Sequence, residues 1–176
     1  MKWPKTLRVA INVSPVQFAE EDFVKIVQRV LRETRLPPER LELEITESVF
    51  VSDDEKVQQI FQRLKDLGVR LALDDFGTGY SSLAYLTRFP FDTIKLDKAL
   101  VCDQSDKKSV LLRSVVSMAR GLDMQVVAEG IQTDQDAADL AMMGCDFGQS
   151  YLFGPPLGSE SVLRLLKERF PLMKRA

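Results

Sequence analysis

Hydrophobic and polar residues alternate with a period of two over six short stretches. These are 7–14 (LRVAINVS), 40–47 (RLELEITE), 69–76 (VRLALDDF), 92–98 (DTIKLDK), 124–130 (MQVVAEG) and, less regularly, 144–153 (GCDFGQSYLF). Side chains alternate across a strand, so each stretch is predicted to be β. Between them the period lengthens. Over 21–32, Phe23, Val24, Ile26, Val27, Val30 and Leu31 recur at helical spacing, and Val57, Ile60, Phe61, Leu64 and Leu67 do so after a Ser52/Glu55 capping-box pair. Gly68, Gly121 and Gly144 each follow a helical run, where a left-handed C-cap is wanted, and Thr133 and Ser159 are placed to cap the last two helices at their N-termini.

Strand–helix repetition implies parallel strands joined by right-handed crossovers, either as an open doubly wound sheet or as a (β/α)8 barrel. Central strands of a doubly wound sheet are apolar on both faces. Here Glu42, Glu44 and Thr46 share one face while Leu41, Leu43 and Ile45 share the other, Lys95 and Asp97 oppose Ile94 and Leu96, and Asn12 and Glu129 sit late in their strands. An antiparallel sheet with a wet face would show the same alternation, but the intervening helices argue against hairpins. A TIM-type barrel with apolar residues toward its helices and polar ones in the upper lumen fits best. About six strand–helix units are visible where such a barrel needs eight. The expectation is therefore an incomplete barrel, with residues 1–176 forming one domain.

Composition narrows the chemistry. The 176 residues are 45% hydrophobic and 28% charged with a net charge of −2, an ordinary globular mix without the basic runs that bind DNA or RNA. No apolar run reaches the roughly 18 residues of a membrane span, and MKWPKTLRV lacks a signal peptide's hydrophobic region. Two isolated cysteines, Cys102 and Cys145, fit a reducing compartment, so the expected location is the cytoplasm. There is no histidine. Histidine-based triads and zinc sites are thereby excluded, a metal would have to be held by oxygen, and a general base must be a carboxylate or a lysine.

Against that background LALDDFGTGYSS (71–82) places two adjacent aspartates where a hydrophobic strand ends. Asp-Asp before Gly is commonly a solvated turn, and the stretch lacks the later acidic positions of an EF-hand. Taken singly, Lys95 reads as a surface lysine and Gln149 carries little information. Their shared location at strand ends is what matters. In a parallel barrel Asn12, Glu44, Asp74, Asp75, Lys95, Glu129 and Gln149 would converge on one mouth. Four carboxylates so close repel unless cations compensate, and hard oxygen ligands select magnesium or manganese. One or two such ions sharing the Asp74–Asp75 edge would suit phosphodiester hydrolysis.

LRVAINVSPVQF, LELEITES, LALDDFGTGYSSL, IKLDK, VVAEGIQT and GCDFGQSYLFGPPL resemble, in this order, the sequence blocks of the EAL-domain family of bacterial phosphodiesterases. The resemblance implies a (β/α)8 barrel that linearises cyclic di-GMP to pGpG with Mg2+ or Mn2+, commonly two ions, and that is inhibited by Ca2+. It implies that Asn12, Glu44 and Asp74 are metal ligands and that Asp75 is a ligand bridging two ions. Glu129 is similar to the remaining acidic residue of the catalytic site, Lys95 to the lysine that orients the attacking water, and Gln149 to a pocket glutamine. Glu47 resembles the glutamate that steadies the loop 76–82, which links the site to dimerisation. The sequence departs from the family in lacking the Glu-Ala-Leu motif, whose glutamate is a ligand, which implies that the barrel's first strand and its helix are missing, and in carrying Gln132 and Ser150 where the family has glutamate and glycine. The expectations are a weak or inactive hydrolase in isolation, association through an exposed strand edge, and, as the alternative function, a cyclic di-GMP receptor or protein-interaction module that does not cleave.

Overall fold

In the computed structural model, which describes residues 6–51, 54–78, 83–102 and 106–169, all six predicted strands form. They pair in parallel in the order β1-β2-β3-β4-β5-β6, each beside its sequence neighbour. The strands are β1 Val9–Val13, β2 Leu41–Thr46, β3 Arg70–Phe76, β4 Thr93–Leu96, β5 Gln125–Glu129 and β6 Phe147–Gln149. The helices are α1 Pro15–Ala19, α2 Phe23–Thr34, α3 Asp54–Asp66, α4 Leu83–Arg88, α5 Lys98–Val101, α6 Asp106–Gly121, α7 Asp134–Met143 and α8 Ser159–Arg169, with 3₁₀ turns at Pro38–Arg40 and Glu47–Val51. Helices stand between every pair of successive strands, which disposes of the antiparallel alternative.

The sheet is curled into a half-barrel. Arg8 beside β1 donates to Gln125 Oε1 on β5 at 2.7 Å. In a flat sheet those strands, four spacings apart, would be about 19 Å from each other. One face is wrapped by helices: Leu43, Ile45, Leu71, Leu73, Ile94, Leu96, Val126 and Ala128 are buried against Val27, Leu31, Phe61, Leu64, Val115, Val116 and Ala119. The rings of Phe50, Phe61, Phe89 and Phe91 pack together, and Phe50 stacks on both Tyr85 and Phe89 with centroids 4.6 Å away. Phe50 thus ties the turn after β2 to α4, the helix that follows the loop after β3.

The opposite, concave face is polar at both ends. Near the N-terminal ends of the strands, Glu42 Oε2 accepts from Thr93 Oγ1 at 2.8 Å, Arg70 Nε at 3.1 Å and Arg8 at 3.4 Å, while Gln125 Oε1 accepts from Arg8 and Arg70. β1 and β6 are the sheet's two edges, and Ile11 on β1 is 48% exposed.

The expected boundaries shift in three places. The sixth strand shrinks from 144–153 to three residues because Ser150 starts a turn, its Oγ accepting from Leu152 N and its carbonyl from Phe153 N. Gly121 remains helical, and the left-handed residue after α6 is Asp123 (φ 58°). Ser159 is the first residue of α8 rather than its cap. Gly68 and Gly144 do take positive φ, and Thr133 closes a capping box with Asp136. Ser52 of the other expected capping box lies outside the described residues.

Candidate metal centre

Parallel pairing sets the positions of the polar residues. Asn12 is in register with Glu44, Thr46 with Asp74 and Glu129 with Gln149, so the strands deliver inward side chains from their C-terminal halves to the same end of the half-barrel. Lys95 reaches the same level from β4 and is only 5% exposed. Its Nζ donates to Glu44 Oε2 at 3.0 Å and lies 2.8 Å from both Asp74 Oδ1 and Glu129 Oε1. The last two oxygens are buried and ion-paired with the ammonium, at close range but without a well-angled hydrogen bond. Asn12 completes the ring from β1: its amide end lies 3.1 Å from both Glu44 Oε2 and Asp74 Oδ2, and with its nitrogen turned inward it would donate to both. The reverse orientation would set its carbonyl oxygen against two acceptors.

Two adjacent aspartates should point to opposite faces of a strand. They do not here, because β3 bulges. From Leu73 to Phe76 the strand advances three residues while β4 advances two, from Ile94 to Leu96. Asp75 is the extra residue and adopts φ 57°, a conformation that Asp tolerates better than most side chains. The bulge keeps Asp75 at the mouth beside Asp74 and returns Phe76, 3% exposed, to the helix-covered core. As a result Asp74, Asp75 and Glu129 each present an oxygen within 4.8 Å of the others.

The electrostatics follow from the crowding. Burial raises the Glu44 carboxyl above its ordinary pKa; Lys95 opposes the shift, and Asp74 and Glu129 add to it. Burial raises Asp75 too, helped by Asp74 and by Asp97, against Lys95. Burial alone would lower Lys95, but Asp74, Glu129 and Glu44 outweigh it and hold the ammonium well above its usual range. Asp97, in the sequence only a polar residue opposite Leu96, belongs to this site. It caps α5 through Ala99 N at 2.7 Å and stands close enough to Asp75 to act on it. Gln149 lies in register beside Glu129 with its side chain exposed. Glu47 opens the 3₁₀ turn after β2, half-buried; residues 79–82 of the loop it was expected to steady lie outside the described residues.

The donor set fits a hard divalent cation. All its atoms are carboxylate or amide oxygens, negative charge is in excess, and two buried carboxylate oxygens lack an aligned donor.

Fold and site together define a member of the parallel β/α-barrel class, built as an incomplete (β/α)8 barrel with an acidic, oxygen-lined mouth. The EAL domain family model matches residues 1–156, and the chain belongs to that family. It is 37% identical over 172 residues to the cyclic di-GMP phosphodiesterase PdeR of Escherichia coli, covering 97% of this chain and 26% of that protein. It superposes on the crystal structure of the EAL domain of Mycobacterium smegmatis DcpA with a TM-score of 0.89 at 36% identity, covering 94% of this chain and 75% of that one. It also superposes on the manganese and cyclic di-GMP complex of Klebsiella pneumoniae BlrP1 with a TM-score of 0.76 at 34% identity, covering 82% and 38%. The chain spans between 19% and 26% of the length of the curated relatives it matches. No described helix is long and apolar enough to cross a membrane.

Proposed function

We propose that residues 1–176 belong to a single catalytic domain that hydrolyses cyclic di-GMP to linear pGpG. The observation that carries this reading is the convergence of Glu44, Asp74, Glu129 and Lys95 on one point at the strand ends, with Asn12 and Asp75 beside it. Asn12, Glu44, Asp74 and Asp75 would hold Mg2+ or Mn2+, with Asp75, aimed by the bulge, shared between two ions. When bound, such ions polarise a phosphate and supply hydroxide at neutral pH. In this reading Lys95 directs its ammonium at the attacking oxygen and Glu129, paired with it at 2.8 Å, accepts a proton. Gln149 lines the substrate side of the mouth, and Glu47 steadies the loop after β3 from the neighbouring turn. The setting proposed is cytoplasmic, as part of a homodimer.

The test separates binding from cleavage. Unfolding of the 176-residue chain is followed with cyclic di-GMP and Ca2+, and product is then sought with Mn2+. A raised Tm in Ca2+ is expected, because a ligand that binds only the folded state stabilises it, and pGpG should form in Mn2+ only slowly, well under an ordinary enzyme rate of about 1 per second. A raised Tm without product would support the receptor reading instead. Neither response would overturn both.

A further inference from the structure

At the N-terminal ends of the strands the acceptors are answered and donors are left over. Arg8 and Arg70 both reach one atom, Gln125 Oε1, at 2.7 and 2.9 Å, so two guanidiniums stand side by side. A single carboxylate, Glu42, pairs with both. Asp92 lies 3.9 Å from Arg70, but Lys65 grips both of its oxygens at 2.7 Å. Arg8 bonds through Nη1 alone and lies over the Phe147 ring, 5.6 Å from its centroid, so it is fixed from two sides with Nε and Nη2 to spare. A third guanidinium joins from the 3₁₀ turn before β2. Arg40 donates Nε to the Leu7 carbonyl at 2.7 Å, which leaves its two terminal nitrogens without a partner among the described residues. These three arginines line one open cavity of about 490 Å³, with Gln125 and Pro37 in its wall. The Arg8 and Arg70 side chains are 28% and 24% exposed, held by the network yet reachable from solvent. Glu39, exposed, is the only other acid lining the cavity, so positive charge is in excess there.

We propose that this cavity binds a phosphoryl dianion through Arg40 and the spare N–H groups of Arg8 and Arg70, with the bonds to Glu42, Thr93 and Gln125 serving as the frame that holds two of the three arginines in place. The ligand class follows from the donors. A carboxylate has two oxygens and fills one guanidinium fork, whereas three forks supplied by three segments match a group with three or more oxygens and two charges. An anion there also relieves the repulsion between Arg8 and Arg70, which share one carboxylate. The site is independent of the metal-binding reading above: it lies at the opposite end of the strands and shares no residue with the acidic mouth.

The experiment is calorimetry and thermal unfolding of the full 176-residue chain in EDTA, at an ionic strength held constant with NaCl. The probes are inorganic phosphate, pyrophosphate and acetate, and co-sedimentation with phosphatidic acid vesicles asks whether a lipid presents the same group. EDTA removes the divalent ions that could carry a phosphate to the acidic mouth. Pyrophosphate should bind with a Kd below about 1 mM and raise Tm by about 3 °C near saturation, phosphate should bind more weakly, and acetate should do neither. Arg40→Gln, which leaves the bonds to Glu42 in place, should weaken pyrophosphate binding about tenfold, and Glu39→Gln should tighten it about threefold. Arg113→Gln, exposed on α6, removes an equal charge elsewhere and should change it by less than about twofold. Equal losses from Arg40→Gln and Arg113→Gln would reduce the effect to the overall field of the chain and overturn the inference. Acetate binding as tight as that of pyrophosphate, or no response to any phosphate, overturns it too. If Arg40→Gln does not fold, Glu39→Gln decides by its sign: tighter binding supports the site, and unchanged or weaker binding overturns it. Vesicle binding that Arg40→Gln abolishes, without a pyrophosphate response, would place the phosphoryl group on a lipid and support the site.

Discussion

The two ends of the half-barrel's concave face hold similar residues in opposite conditions. At the N-terminal end, two arginines, one glutamate, one threonine and one glutamine satisfy one another: Glu42 accepts from Thr93, Arg70 and Arg8, and Gln125 accepts from both arginines. At the C-terminal end, four carboxylates face one ammonium, and two buried oxygens have no aligned donor. A closed polar network specifies a structure, while an open one with excess charge is a place to bind something. The lesson is that burial and residue type do not separate scaffold from site here. Glu42 and Glu44 lie two residues apart on one strand, at 8% and 9% exposure. What separates them is the company each keeps: Glu42 sits among donors, whereas Glu44 shares one ammonium with carboxylates of which two, Asp74 Oδ1 and Glu129 Oε1, have no aligned donor.

The largest effect that would break this comparison is at Asp74. Replacing it with Asn should weaken Mn2+ binding or turnover by about 100-fold or more, because even residues outside a metal's immediate ligands cost 10–100-fold. Its Tm in EDTA should not fall, since one of several mutually repelling charges is gone. Calorimetry with a melting curve checks both, and a large Tm loss would mean that the upper cluster is scaffold after all. The reciprocal substitution, Glu42→Ala, strands Arg8 and Arg70 and should cost about 3 kcal/mol of stability by urea denaturation. Mn2+ affinity of the folded protein should change by less than about twofold, because the two layers share no partner. A fall in metal affinity comparable with that of Asp74→Asn would abolish the distinction.

Much of this was legible in the sequence, for definite reasons. Six strands with one apolar and one polar face, separated by helices, allow few topologies, and Leu41, Leu43 and Ile45 against Glu42, Glu44 and Thr46 give the orientation of β2 outright. Site residues late in the strands converge because parallel strands end together. What the sequence hid depends on register or on distance in space. The bulge that brings Asp75 beside Asp74 is a one-residue slip against β4 that alternation cannot show. Asp97 reads as a strand residue until α5 begins at Lys98 and makes it a cap. The lower layer joins Arg8 to Gln125 across 117 residues, and no local pattern announces that pairing.

The smallest effect separates the layers by pH rather than by mutation alone. Glu44 titrates above its ordinary 4.5 in the folded metal-free protein, chiefly because burial disfavours its charge. Below that ordinary value the group is protonated in both the folded and unfolded states, and its stabilising contribution is fully present. As pH rises, the unfolded carboxyl ionises first and the folded one resists, so the contribution is lost through the raised folded pKa. Glu44→Gln cannot ionise and escapes that loss. Followed in EDTA from about pH 4 to about pH 8, the Tm of Glu44→Gln minus that of wild type should therefore move in favour of the variant and then level off. A flat or falling difference would show that Lys95 and Asn12 already stabilise the charged carboxylate fully, which would place Glu44 with the closed network below it. Adding Mn2+ should reverse the comparison, because the ion needs the carboxylate that burial disfavours, and a reversal seen for Glu44→Gln but not for Glu42→Gln would mark the upper layer as the one built around a cation it does not itself supply.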